Sequence, residues 1–388
     1  MKIIEVKTSH ERKQFIGLPW KLYCHDPNWV PPLRKDIEGR LNPKIHPFYR
    51  HGWVRSFLAI DSRGNALGRI MAMDDPRFNQ ENNSNQGVFG FFESIDDTRV
   101  SDALFDSVAQ VLKERGRDFL FGPVEYSTNY ECGLLIDGFG SSPKVMMPYN
   151  PPYYLRLFEH WGLKKNRDLY SWWFDDSINL GKSWMPILER MKQRHPINIR
   201  PFSIRNFERD LKKCMEVYDS ARKDWWWSCV TLTEEEIKYL ADTLRLIAHE
   251  KHVLLAEDQG TPVGFAITIP DLNEAIKPMN GSLSWFGIPY LGLLRLRYRL
   301  NRVKGARMMV LCVLPQYRRS GVAERLIYDT LDYGKNCLHY TNAELGWTDE
   351  MNDKINRTLE RVGAVRCKTY RVFEKSLKEP SQSSTKNE

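Results

Sequence analysis

The chain has 388 residues, 42% of them hydrophobic and 27% charged, with a formal net charge of +8. That length predicts two domains at ~100–200 residues each, and the hydrophobic share excludes disorder throughout. No run approaches the ~20 apolar residues of a membrane span, the opening MKIIEVKTSHERKQF lacks a secretory apolar stretch, and the seven scattered cysteines form no CxxC pair, so a cytoplasmic protein without zinc ribbon or disulfide framework is expected.

In chain order, Met1–Lys7 predicts a strand, followed by a polar-aromatic segment containing DPNWVPPL (Asp26–Leu33). Val54–Asp61 and Ala66–Asp74 predict a hairpin turned at Arg63-Gly64-Asn65. Gly87–Glu93 is a strand, and Ala103, Leu104, Val108, Val111 and Leu112 give Val100–Arg115 helical spacing. A strand at Asp118–Gly122, a short helix at Pro152–Trp161 and a strand at Asp168–Phe174 follow. After a boundary near Asp176–Pro196 the order begins again. Ile197–Pro201 is a strand, Ile204–Arg222 a helix, and Thr233–His249 a helix opening on a capping-type TEEE. Val253–Glu257 and Pro262–Ile269 form a hairpin, Ala306–Val313 a strand, Arg319–Lys335 a helix, Ala343–Trp347 a strand, Asn352–Val362 a helix and Tyr370–Glu374 a last strand. Mixed sheets flanked by helices follow, an α/β (α+β) class, with domains over 1–178 and 196–377 and a disordered tail over 378–388.

The most informative stretch is MVLCVLPQYRRSGVAERL, Met309–Leu326. An apolar strand ends at Val313, Pro315 stops it, and a short loop with one glycine turns straight into a helix. Such a turn aims several backbone N–H groups and the positive end of the helix dipole at one point. Gly321 permits close approach, and Arg318 and Arg319 add charge. A pyrophosphate is the natural guest.

Arg318-x-x-Gly321-x-Ala323 resembles the Arg/Gln-x-x-Gly-x-Gly/Ala signature of the GNAT superfamily of N-acetyltransferases. The resemblance implies two tandem acyl-CoA N-acyltransferase-like domains. It implies an acyl-coenzyme A donor cradled by Val313, Arg318, Arg319, Ser320, Gly321, Val322 and Ala323, with Asn352 opening the next helix and Gly363 closing it. The family often carries a tyrosine late in that helix to protonate the leaving thiolate. Leu359 stands there, which leaves the role to Tyr370 or to solvent. In the first half the matching turn, Ser94–Arg99 (SIDDTR), is acidic and lacks the glycine, so a degenerate domain is expected there. FGFFE (Phe89–Glu93), YNPPYY (Tyr149–Tyr154) and KTYRVFEK (Lys368–Lys375) resemble segments of full-length bacterial proteins of this build, some tied to ceramide formation.

Acyl transfer to an amine needs the amine neutral, which costs an alkylammonium about 4.6 kcal/mol at pH 7, so a general base is expected. Glu344, on the strand after the pyrophosphate helix, and Glu350, just past its end, are the candidates. Trp226 and Trp227, within Trp225-Trp226-Trp227, are candidates for an acceptor or acyl-chain wall, or else plug the domain interface. The segment 283–304 is apolar and then basic, continuing to Arg307; it either lies against an anionic membrane face, peripheral to the inner membrane, or covers the sheet with its arginines in solvent. The nine dispersed histidines predict no metal site. The expected reaction is direct attack of a primary amine, possibly long-chain or sphingoid in type, on acyl-coenzyme A, with no nucleic-acid partner. The alternatives are a non-catalytic acyl-coenzyme A sensor of the same fold, a nucleic-acid binder, or an aminoacyl-tRNA donor.

Overall fold

The computed structural model describes residues 1–175, 184–185, 188–189, 197–222, 228, 230–282, 284–285, 288–289, 303–361 and 363–378. The first half runs β1 (Lys2–Glu5), α1 (Ser9–Leu22), α2 (Arg34–Arg40), β2 (Trp53–Ile60), β3 (Ala66–Asp74), α3 (Pro76–Glu81), β4 (Gln86–Ser94), α4 (Thr98–Glu114), β5 (Phe119–Gly122), β6 (Leu134–Asp137), α5 (Tyr154–His160) and β7 (Lys164–Asp175). The second runs β8 (Asn198–Pro201), α6 (Phe207–Arg222), α7 (Glu234–Ile247), β9 (Val253–Asp258), β10 (Thr261–Pro270), α8 (Asn273–Ile276), β11 (Ser284–Trp285), β12 (Ile288–Pro289), β13 (Gly305–Val313), α9 (Val322–Cys337), β14 (Asn342–Asp349), α10 (Asp353–Arg361) and β15 (Val365–Ser376).

Local chemistry explains most of these elements. Asp61 Oδ1 accepts from the amides of Arg63 and Asn65, both at 2.8 Å, and Gly64 takes φ +81°, which closes the β2–β3 turn. Along α4 the spaced Leu104, Val108 and Leu112 are buried together with Phe105, in one core with Phe158 and Phe373. Helices α1 and α2 supply a second core on the other face, through Phe15, Leu18 and Ile37. Helix α1 falls in the segment that the sequence marks only as polar and aromatic. Its start carries a full capping box, Thr8 with Glu11, but Pro19 lies inside the helix and obscures it. With α1 and α2 in place, both halves share the order strand, two helices, hairpin, strand, helix, strand, helix, strand.

The halves do not keep separate sheets. One path runs β1-β2-β3-β4-β5-β15-β7-β14-β13-β10-β9-β8, with β6 paired to β15. The last strands are exchanged. β15 enters the first half beside β5 (Phe373↔Gly122), and β7 enters the second beside β14 (Leu345↔Trp172). They also pair with each other, Tyr370↔Leu169 among the partners. The sheet is therefore continuous across the two halves of the chain. The exchange leaves neither half with an open edge at the centre, where unpaired N–H and C=O groups would invite other chains.

Helix α7 docks across the same seam. Thr233 and Glu236 form its capping box, and Glu236 is buried. Glu236 Oε1 and Asp75 Oδ1 each lie 3.6 Å from a ring nitrogen of His51, and Arg77 Nη1 lies 3.7 Å from Glu236 Oε2. Burial alone would lower the His51 pKa, but the two carboxylates outweigh it and raise it to about 9. A pKa raised on folding contributes stability that is complete below the unfolded value of ~6.5 and is lost as pH rises through the folded one. The melting temperature is therefore expected to fall between pH 6.5 and 9 or above, and His51→Gln to flatten that fall; an unchanged slope in the variant refutes the assignment.

Candidate active site

The central feature is a pair of parallel strands that part. β13 and β14 are in register from Gly305↔Asn342 to Met308↔Leu345. Beyond that β13 stays with β10 as far as Val313↔Gly264, while β14 stays with β7 as far as Asp349↔Leu169. The β10–β13 register passes from Ile267↔Val310 to Thr268↔Met308, which leaves Met309 as the extra residue of a bulge. The wedge opens on a cavity of about 950 Å³ walled by Met309–Val313 on one side and Leu345–Asp349 on the other.

At one end stands the glycine turn. Gly321 has φ +85° and is the N-cap residue of α9, with no side chain capping the helix. The first N–H groups of a helix have no partner within it, so those of Val322, Ala323 and Glu324 face outward. Ser320 donates its hydroxyl to Tyr317 O at 2.7 Å, and Tyr317 donates to Asp258 Oδ2 at 2.7 Å, which pins the loop to β9. Arg318 reaches the C-terminal turn of α6 through Ala221 O at 3.3 Å and also lines the cavity, as do Val313, Ala323 and Asn352. Arg319 is exposed, and Arg319, Ser320, Gly321 and Val322 are not among the cavity-lining residues. At the other end the wall comes from the first half, as Thr128, Asn129, Tyr130, Glu131 and Met146.

The expected bases lie elsewhere. Glu344 is 1% exposed and does not line the cavity; Ser171 donates to its Oε1 at 2.5 Å, and Lys368 Nζ is 3.8 Å from Oε2. Glu350 turns to β7, where its Oε1 accepts from Asp168 N at 3.0 Å and its Oε2 from Lys165 at 2.6 Å. Tyr370 is fully buried beneath Trp347, ring centroids 6.3 Å apart, and burial pushes its pKa up. Asn352 begins α10, and Leu359 is in the cavity wall. Trp226 and Trp227 lie outside the described residues, as does 283–304 apart from 284–285, 288–289 and 303–304, and the tail beyond 378.

Two cavity residues were missed. Arg307 was read with the basic run that precedes it, as solvent- or membrane-facing. It sits instead in β13 at 3% exposure, donating to Val145 O at 2.9 Å and Met146 O at 2.7 Å, with its guanidinium 5.3 Å from the Trp347 ring. A charge at the start of an apolar strand was the available signal. Glu131 had no local signal. Its importance comes from which strands meet.

The Acetyltransferase (GNAT) family model matches residues 218–364. "Bacterial ceramide synthase" of Caulobacter vibrioides (strain NA1000 / CB15N) is 32% identical over 383 residues, spanning 97% of this chain and 98% of that protein. The chain belongs to the GNAT family. Protein YghO of Escherichia coli (strain K12) is 31% identical over 379 residues, spanning 95% and 94%. A tandem GNAT protein from the clavulanic acid biosynthesis pathway superposes with TM-score 0.57, covering 98% of this chain and 99% of its own; at 11% identity that likeness concerns the fold.

Within this GNAT frame the two halves differ at the turn that leads from the strand into the helix. In the first half Asp97 caps α4, its Oδ1 accepting from Arg99 N at 2.9 Å, so a carboxylate occupies the helix start. The wedge there is closed, since Val124 N donates to Phe89 O at 2.9 Å. Glu93 fills the neighbouring space, accepting from Tyr23 at 2.8 Å and Tyr154 at 2.7 Å. Among the described residues no helix is long and apolar enough to cross a membrane, and no group of three His, Cys, Asp or Glu could hold a metal ion.

Proposed function

We propose that this chain is an N-acyltransferase that moves an acyl group from acyl-coenzyme A to a primary amine on a long apolar chain. The observation that carries the reading is the continuity of one cavity from Arg318 and Ala323, at the two ends of the glycine turn, through the parted strands, to residues 128–131 of the other half. At about 950 Å³ it is at the upper end of small-molecule pockets, which run ~300–1,000 Å³. That leaves room for two substrates to meet. The long-chain acceptor is supported by the relative named a bacterial ceramide synthase.

In this reading the amides of Val322 and Ala323 hold the donor's pyrophosphate, with Arg318 alongside. Arg319 and Ser320 shape the turn, and Asn352 closes the far wall. The bulge at Met309 frees backbone N–H from the β10 ladder to stabilise the developing oxyanion. Glu344, paired with Ser171 and Lys368, holds the strand crossing together. Glu350 ties β14 to β7. With Leu359 in the cavity wall and Tyr370 behind Trp347, the departing thiolate takes its proton from the attacking amine or from solvent. The first half, whose own wedge is shut, serves as the acceptor lobe. Segment 283–304 is the region proposed to touch an anionic membrane and deliver a lipid amine.

The test is incubation of the purified chain with palmitoyl-coenzyme A and a panel of amines, reading free thiol and amide mass together. Stoichiometric thiol and amide with a long-chain amine are expected. Tight coenzyme A binding without thiol release for any amine overturns the enzymatic reading in favour of a sensor, towards which Leu359 in place of tyrosine points.

A further inference from the structure

We propose that Glu131 receives the ammonium group of the acceptor and takes its first proton. This rests on the acyl-transfer reading and adds the residue that recognises the amine. Glu131 is the carboxylate that the first half contributes to the cavity wall. The other carboxylates in that wall come from the second half: Asp349 is buried and accepts from Met351 N at 2.8 Å, and Glu324 and Asp353 lie in the first turns of α9 and α10, at the donor end of the proposed site.

Glu131 shares its ion-pair partner with two other carboxylates. Glu125 N donates to Glu131 O at 2.8 Å, which closes a narrow turn and brings the two side chains together. Both carboxylates meet the same nitrogen of Arg40, at 2.6 Å for Glu125 and 3.1 Å for Glu131, while Asp36 lies 3.4 Å from Arg40 Nε. One guanidinium thus serves three carboxylates. Of the neighbouring cations, Arg69 pairs with Glu93 at 3.4 Å and donates to Phe15 O at 2.6 Å, while Arg307 donates to the Val145 and Met146 carbonyls and keeps its charge within reach of Glu131. His46, near Arg40, is held neutral because burial lowers its pKa to about 4. Burial, with Glu131 adding to it against Arg40, holds the Glu125 carboxyl well above the usual carboxylate range.

A second observation marks the same wall as unfinished. Arg307 lines the cavity at 3% exposure and its Nε has no hydrogen-bond partner. Buried donors are nearly always satisfied by protein, water or ligand.

The proton balance is simple. The alkylammonium gives one proton to Glu131. The neutral nitrogen attacks the thioester carbonyl, forming C–N as C–S breaks. The nitrogen passes a second proton to the thiolate on becoming an amide and keeps the third, and Glu131 returns its proton to solvent.

The experiment compares binding of dodecylamine and dodecanol to the full chain by calorimetry, for wild type, Glu131→Gln and Glu131→Asp. Wild type should prefer the amine by about tenfold or more, Glu131→Gln should erase the preference, and Glu131→Asp should keep part of it. Turnover should fall about a hundredfold in Glu131→Gln while coenzyme A affinity holds. Equal wild-type affinity for amine and alcohol, or a preference that survives Glu131→Gln, overturns the inference without needing turnover. Failure of acyl transfer itself is read separately, as absent thiol release in wild type.

Discussion

Gly321→Glu is expected to weaken coenzyme A binding by about two orders of magnitude or more. Gly321 holds φ +85° at the head of α9, a region where a side chain costs roughly 1–2 kcal/mol. At the proposed donor site a carboxylate there would also face the diphosphate, displacing charge-assisted hydrogen bonds worth ~1.5–3 kcal/mol. The sum, roughly 2.5–5 kcal/mol, corresponds to about seventyfold to five-thousandfold in affinity. Gly321→Ala isolates the backbone cost and should lose about tenfold. Titration calorimetry with coenzyme A reads both. Wild-type affinity in Gly321→Glu would mean that the diphosphate is held elsewhere.

Lys368→Met is expected to destabilise the fold by about 3–5 kcal/mol, because it strips a buried anion of its cation. Lys368 is 2% exposed and Glu344 1%; the lysine donates to Ser141 at 2.5 Å and sits 3.8 Å from Glu344 Oε2, an oxygen with no hydrogen-bond partner. Removing both charges together, Lys368→Met with Glu344→Leu, should recover most of the loss, since a buried pair is often replaceable by apolar side chains. Urea denaturation measures all three variants. The same series decides the part played by Glu344. If it acts only at the strand crossing, Glu344→Gln lowers stability and leaves turnover per folded molecule unchanged. A large fall in turnover at full stability would restore it as the base.

Legibility followed the reach of each interaction. The hairpin at Arg63–Asn65, the spacing of α4 and the cap of α7 depend on neighbours within a few residues, and each was readable. Helix α1 carried a readable cap but a misleading Pro19. Arg307 was assigned to the basic run because nothing local distinguishes an arginine facing solvent from one aimed at two carbonyls contributed by the other half.

The sequence by itself determined the family, the strand–glycine–helix turn that presents free amides, and the repeated order of elements, because all three are written in short-range spacing. Only the tertiary structure decided that β7 and β15 change places and that the cavity opposite the turn is walled by Thr128–Glu131. An alternating strand states which face it buries but not which neighbour it joins. The choice of partner rests on ladders between residues about two hundred positions apart, such as Tyr370↔Leu169, and no local pattern encodes it.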